Sequence, residues 1–405
     1  MSINELPEEC LLIIFDLINE LDDLLNCYKV CSKWSHLIAE RTRKVKYLVE
    51  YQDYGYSYTF DYVYYHTEEP IDGTCLNALF PNLMIANFGW KLREKVDHED
   101  IVTFVKQNKS LKGIIDRFHN RDKSVFQYCD DLEMVSANYI ETCMANNSAS
   151  IKQLLLSSYL LGVFTTDAHY FPNLERLHIY NRLGNVEILL EKFLVIVIHL
   201  LSKDWPDSLY DGPILSRLKI FELSLANYDA HYGFHFMDSC PNLQSAHIRL
   251  YSNRIVGDGS LKHESLQDLV LQFDTNDYIH KFNWNQSKSL LMKYPNLKHL
   301  ALRNNQSLKN KGVLQLVNIL PNLVLFDVRC CPKVTQEAAA YIQDYNKLYG
   351  RSIKFYFDGN YHEIESDWPH LSSKRGKISQ GFDFMKHCFL KDFNSLPTFL
   401  IPSEE

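Results

Sequence analysis

NLKHLALRNNQSLKNKGVLQLVNILPNL, from Asn296 to Leu323, carries the fold in one stretch. Leu297, Leu300 and Leu302 are spaced L-x-x-L-x-L, and the alternation at its end predicts a short strand with one buried face. Val313, Leu314, Leu316, Val317 and Leu320 then recur at helical spacing. Pro321 ends that helix, and Leu323 opens the next strand segment. A strand and a helix this short cannot bury their apolar faces alone, but stacked copies can.

Copies are present on both sides. Pro-Asn-Leu returns at 81–83, 172–174, 241–243, 295–297 and 321–323. Clear strand patterns follow at Leu174/Leu177/Ile179, Leu266/Leu269/Leu271 and Leu323/Phe326/Val328. Degenerate ones occur at Leu83/Ala86/Phe88, Ile151/Leu154/Leu156, Leu218/Phe221/Leu223 and Leu243/Ala246/Ile248. First positions are 23 residues apart from 151 to 174, 25 from 218 to 243, 23 from 243 to 266, 31 from 266 to 297 and 26 from 297 to 323. The 44 residues from 174 to 218 hold two units or one with an insertion, and the 68 from 83 to 151 hold a poor unit near Leu111 and Ile114.

These intervals and the L-x-x-L-x-L pattern resemble leucine-rich repeats, whose period is about 20–29 residues. Asn305 and Cys331 fall where that family places an Asn or Cys bonded to neighbouring backbone, and Tyr251 and Asp274 take the position in other units. Cys331 followed by Pro332 is similar to the cysteine-containing subclass. The resemblance implies an α/β fold: a curved solenoid over 81–357, parallel sheet inside and helices outside. The competing reading is a generic leucine-rich α/β domain.

The N-terminus reads LPEECLLIIFDLINELDDLLNCYKVCSKWSHLI. Leu11, Ile14, Phe15 and Ile18 form one helical stripe; Leu24, Leu25 and Tyr28 start a second; Val30, Cys31, Trp34 and Leu37 start a third. Pro7 with Glu8 and Glu9 suits a first helical turn, as Asp22-Asp23 suits a second helix start. Three short helices in about 40 residues bury little by themselves, so surplus apolar residues point to a partner surface.

Leu6-Pro7-Glu8-Glu9, Leu11, Ile14-Phe15, Leu24-Leu25 and Val30-Cys31-Ser32-Lys33-Trp34, in order and without a gap, resemble the F-box family. The resemblance covers residues 5 to about 40, within a module taken as 1–48. It implies docking onto the Skp-type adaptor of a cullin-RING ubiquitin ligase, through Leu6, Pro7, Leu11, Ile14, Phe15, Leu24, Leu25, Val30, Cys31 and Trp34. Some of these side chains also pack the helices together. An F-box ahead of leucine-rich repeats implies the substrate-recognition adaptor of an SCF ligase, non-catalytic and without a cofactor. The alternative is an interaction scaffold that directs no ubiquitylation.

Net charge is −8 over 405 residues, against the basic excess of a nucleic-acid binder. Ten cysteines are scattered from Cys10 to Cys388, which fits reduced thiols rather than a disulfide scaffold. Phe193–Leu201, FLVIVIHLL, is far shorter than the ~20 apolar residues of a membrane helix and reads as a buried helix. The start of the chain lacks a basic signal-peptide segment. The expectation is a cytoplasmic or nuclear protein with no membrane or nucleic-acid partner.

Side chains between and just after the strand leucines face the open side of the sheet. Tyr180, Arg249, Arg303 and Arg329 fall in one column there and are the candidate substrate contacts. Arginine forks match acidic or phosphorylated segments. The competing reading is a solvated sheet face, with Asp327 partly cancelling Arg329. Residues 49–80 are tyrosine-rich and read as a linker or N-terminal cap. Arg41, Arg43, Lys44 and Lys46 read as a solvated helix end. The aromatic tail, 358–405, is expected to pack back onto the solenoid. Cys27, Cys31 and His36 lack a fourth ligand for zinc, and no P-loop, Rossmann glycine set, nucleophile elbow or HExxH occurs.

Overall fold

A computed structural model describes residues 3–51, 59–66, 73–117, 124–138, 140, 142–157, 171–180, 214–224, 233–251, 257–274 and 284–401. The chain divides into two compact units, Met1–Ser157 and Ser158–Glu405. The apolar run 193–201 lies outside the described residues.

The first unit opens with three helices: α1 (Glu8–Asp16), α2 (Leu21–Tyr28) and α3 (Ser32–Thr42). Helix α3 packs against both others. Leu11, Phe15, Leu21, Leu24, Leu25, Leu37 and Ile38 form the shared interior. Arg41 is buried there too, not solvated. Its guanidinium donates to Phe15 O (3.2 Å) and Ile18 O (3.4 Å) around the end of α1 and to the side-chain Oδ1 of Asn19 (2.9 Å).

Six parallel strands follow: β1 (Tyr47–Glu50), β2 (Tyr62–Tyr65), β3 (Ile85–Asn87), β4 (Gly113–Asp116), β5 (Met134–Ala137) and β6 (Gln153–Leu156). Their order is β2-β1-β3-β4-β5-β6. Leu48, Ala86, Ile114, Val135 and Leu154 stand in register along one buried row. Strand β4 occupies the poor unit expected near Leu111. Strand β5 is an additional unit, whose Leu132, Val135 and Ala137 are too short and mixed to stand out. The tyrosine-rich stretch supplies β2, which pairs parallel with β1; Tyr64 N also donates to Asn19 O (2.8 Å), between α1 and α2.

The second unit holds β7 (Arg176–Tyr180), β8 (Ile220–Ser224), β9 (Ser245–Leu250), β10 (Asp268–Phe273), β11 (His299–Arg303), β12 (Leu325–Asp327) and β13 (Lys354–Tyr356), parallel and in chain order. Leu177, Phe221, Ala246, Leu269, Leu300, Phe326 and Phe355 form one continuous row. This is the helix side: Phe221 stacks on Phe236 (4.7 Å) of the short helix Gly233–Asp238. Helices also run over Asn310–Ile319 and Gln336–Tyr349, the latter closed by Gly350 at φ 65°, where a left-handed cap favours glycine. Strand β7 pairs directly with β8, and residues 181–213, on which the choice between two units and one with an insertion falls, lie outside the described residues.

The repeated Pro-Asn-Leu has a physical reason. The asparagine amide donates to a main-chain carbonyl earlier in the chain: Asn82 to Arg43 O (3.0 Å), Asn242 to Ser216 O (2.8 Å), Asn296 to Glu264 O (2.9 Å) and Asn322 to Pro295 O (3.1 Å). The leucine that follows is buried each time. Cys331 adds a similar tie, its thiol donating to Leu302 O (3.1 Å), while Asn305 Oδ1 accepts from Ser307 N and Leu308 N (both 2.9 Å). The whole is a three-helix module followed by an α/β, solenoid-like arrangement of stacked strands and helices.

Candidate functional site

Two surfaces carry the residues singled out in the sequence. The first is the three-helix module. Leu11, Phe15, Leu24 and Leu25 are buried, so their role there is packing. Trp34 is half-buried and meets Phe15 edge-on at 5.1 Å, with its indole Nε1 lacking a hydrogen bond. Pro7, Ile14, Val30 and Cys31 are exposed, and Leu6 is partly so. Cys31 also caps the start of α3 in extended backbone, its carbonyl accepting from Ser35 N (2.9 Å). Lys33 Nζ ties down the Leu6 carbonyl at 3.2 Å.

Sequence reading missed Ile13 and Leu17, which are 66% and 80% exposed, more open than Ile14 or Val30. They are four apart and so share one helical face. The signal was available: LLIIFDLI is apolar nearly all round, and a helix needs only one stripe for its own core. Together these side chains make an apolar surface that the module itself does not cover. Among the described residues no cluster of His, Cys, Asp or Glu could hold a metal, and all ten cysteines are free thiols.

The second surface is the sheet face of the second unit opposite its helices. Two rows face that way in register: His178, Glu222, His247, Val270, Ala301, Asp327 and Tyr356, then Tyr180, Ser224, Arg249, Gln272 and Arg303. This face is not free. Residues 358–401 lie on it, with Ile364, Leu371, Phe384, Phe389, Leu390 and Leu400 packed against Ile220, Val270, Ala301 and Leu325. Within this segment a parallel pair forms between β14 (Ile378–Gln380) and β15 (Phe399–Ile401).

The arginine column is therefore engaged within the chain, which corrects its reading as an open acidic-ligand site. Arg303 is buried: Nε donates to Asp327 Oδ2 (2.8 Å), Nη1 to Lys391 O (3.0 Å) and Nη2 to Phe389 O (2.5 Å). Arg329 lies beyond β12 and turns back to Asp327 (2.9 Å). Arg249 pairs with Asp274 (2.8 Å) and reaches Asn394 Oδ1 (3.3 Å). Tyr180 stacks on Phe393 at 6.0 Å. Arg176, absent from the sequence reading, does as much: its guanidinium donates to Glu222 Oε2 (2.7 Å), Pro397 O (2.7 Å) and Thr398 O (3.1 Å). A strand-leading arginine beside charged residues gives no sign of which face it serves.

The buried charges are set by these pairs. Burial works against the Glu222 carboxylate, but Arg176 and then His178 more than offset it and hold it at about 2. Burial likewise opposes Asp327, and Arg303 with Arg329 brings it to about 2. Burial and then Arg303 push His247 down to about 3, so it stays neutral.

Comparison with known proteins gives one family. No curated protein matches the chain. Residues 3–43, which contain all three helices and the open apolar surface, match the F-box-like family model.

Proposed function

We propose that this protein is the substrate-recognition adaptor of an SCF (Skp–cullin–F-box) ubiquitin ligase. F-box domains are typically non-catalytic adaptor components, and an F-box-like domain implies binding of a Skp-type adaptor. The observation that carries the reading is the set of apolar side chains left uncovered by the module, Ile13, Ile14, Leu17 and Val30 foremost. Exposed apolar side chains grouped on so small a unit mark a protein interface. In this reading the Skp-type adaptor covers them and links the chain to a cullin-RING ligase. The stacked strands and helices, read as leucine-rich repeats, hold a protein target. Both partners are proteins, and the site of action is the cytoplasm, the nucleus or both. The chemistry is proximity: holding a target beside the charged conjugating enzyme raises the effective concentration of its lysines.

Affinity capture from cells with cullin activation blocked tests this. The intact chain is expected to bring down a Skp-type adaptor, a cullin and proteins whose abundance rises under the block. An Ile14→Asp/Val30→Asp chain is expected to lose the adaptor and cullin. Capture of the adaptor with no protein rising in abundance favours the scaffold reading instead.

A further inference from the structure

The turn that opens the three-helix module has no apolar anchor of its own. Residues Ile3–Glu5 bury no side chain, and Ile3 is 47% exposed. Pro7 follows, and its ring nitrogen carries no hydrogen, so it cannot close the turn onto the Asn4 carbonyl. Along the main chain, Leu6 N donates to Ile3 O (3.2 Å), and Cys10 N and Leu11 N both donate to Pro7 O (3.1 Å). The carbonyls of Asn4 and Leu6 are taken up by a side chain instead: Lys33 Nζ donates to them at 3.4 and 3.2 Å.

Lysine at this position does not serve α3. It is the second residue of that helix, where the positive end of the helix dipole disfavours a cation. The first turn of α3 holds no acidic residue to balance it, and the Cys31 cap makes no side-chain bond. The charge is used across the module, on carbonyls 27 and 29 residues earlier in the chain. What it draws together is the open apolar surface. Ile3 and Pro7 lie on the turn it holds, and Val30 and Cys31 immediately precede the helix it leaves from. All four are exposed.

We propose that Lys33 is a positioning residue of the adaptor-binding surface. Its two bonds hold the N-terminal turn against the start of α3, so that Ile3 and Pro7 adjoin Val30 and meet the partner already ordered. A turn without that tie must be ordered as the partner binds, which weakens binding. The partner is the Skp-type adaptor, so the inference rests on the function proposed above. The tie itself belongs to the free chain and is tested there as well.

The test compares the intact chain with Lys33→Met, which keeps an apolar stem but cannot donate, and with Lys33→Arg, which can. Calorimetric titration with a purified Skp-type adaptor is expected to show Lys33→Met binding about tenfold more weakly, the scale of a hydrogen bond from a charged donor, at the parent's melting temperature. Amide exchange over residues 3–6 of the free chain is expected to quicken in Lys33→Met, and Lys33→Arg to restore both properties. Ile3→Asp/Lys33→Met is expected to bind as Ile3→Asp does, because the turn no longer contributes. Losses that add in the double variant would place Lys33 in direct contact with the adaptor and overturn the inference, as would a Lys33→Met chain that binds like the parent. Absence of binding by the intact chain overturns the F-box reading. Unchanged exchange over 3–6 in Lys33→Met overturns the tie whatever the adaptor does.

Discussion

The three-helix module and the helix-free face of the second unit treat surplus surface in opposite ways. The module leaves apolar side chains in water: Ile13, Leu17 and Val30 are each more than half exposed. The sheet face withdraws charged ones from it, with Arg176, Glu222, Arg303 and Asp327 all under 5% exposed. Exposed apolar groups ask for a partner in trans, whereas buried charges must find theirs within the chain. The contrast separates a surface awaiting another protein from one already occupied.

Substitutions sharpen that contrast. The largest effect is expected at Arg303, where Arg303→Met strips two carbonyls and one side of Asp327 of their donor. Breaking one partner of a buried pair costs about 3–5 kcal/mol. Urea unfolding should show that loss, and hydrogen exchange should show residues 389–391 opening first. Phe15→Ala, in the interior of the module, should cost about 3–5 kcal/mol by cavity formation. Denaturation that left the second unit intact would confirm that the cost is local to the module.

Acid should separate the units as well. His247 stays neutral in the fold down to about pH 3 but protonates near its ordinary 6.5 when unfolded. A depressed histidine stabilises above 6.5, and that contribution is lost as pH falls toward 3. The slope is about 1.4 kcal/mol per pH unit for one proton. Glu222 and Asp327, each held at about 2, add to it only below their ordinary 4.5 and 3.8. The groups facing His247 are Arg303, Glu222, Gln272 and His178. Urea midpoints between pH 6.5 and 4.5 should fall less steeply in His247→Gln than in the parent chain. The smallest effect on stability is expected at Leu17→Ser, within about 0.5 kcal/mol because the side chain is exposed. A larger loss would mean that this leucine packs rather than waits for a partner.

Much of the fold was legible because strand leucines alternate and Pro-Asn-Leu marks the turn before them. The in-register rows of the second unit follow the spacing from Leu177 to Phe326. What the residues face was not legible. Arg303 has the same local sequence whether water or Lys391 covers it, since the contact closes over 88 residues of chain. Arg41 looked like one of four basic residues at a helix end, and only the return of α1 past it shows that it is interior. At the module, reading one helical stripe found Leu11 and Phe15, which pack, and passed over Ile13 and Leu17, which stand open.

The central claim is that these open side chains form the Skp-adaptor surface, and calorimetric titration of a purified Skp-type adaptor tests it most directly. The intact chain is expected to bind with one site. Ile13→Asp/Leu17→Asp is expected to bind at least about a hundredfold more weakly, the scale of a central interface residue, with an unchanged melting temperature. Binding of the variant as tight as that of the intact chain, or no binding by the intact chain, would contradict the account.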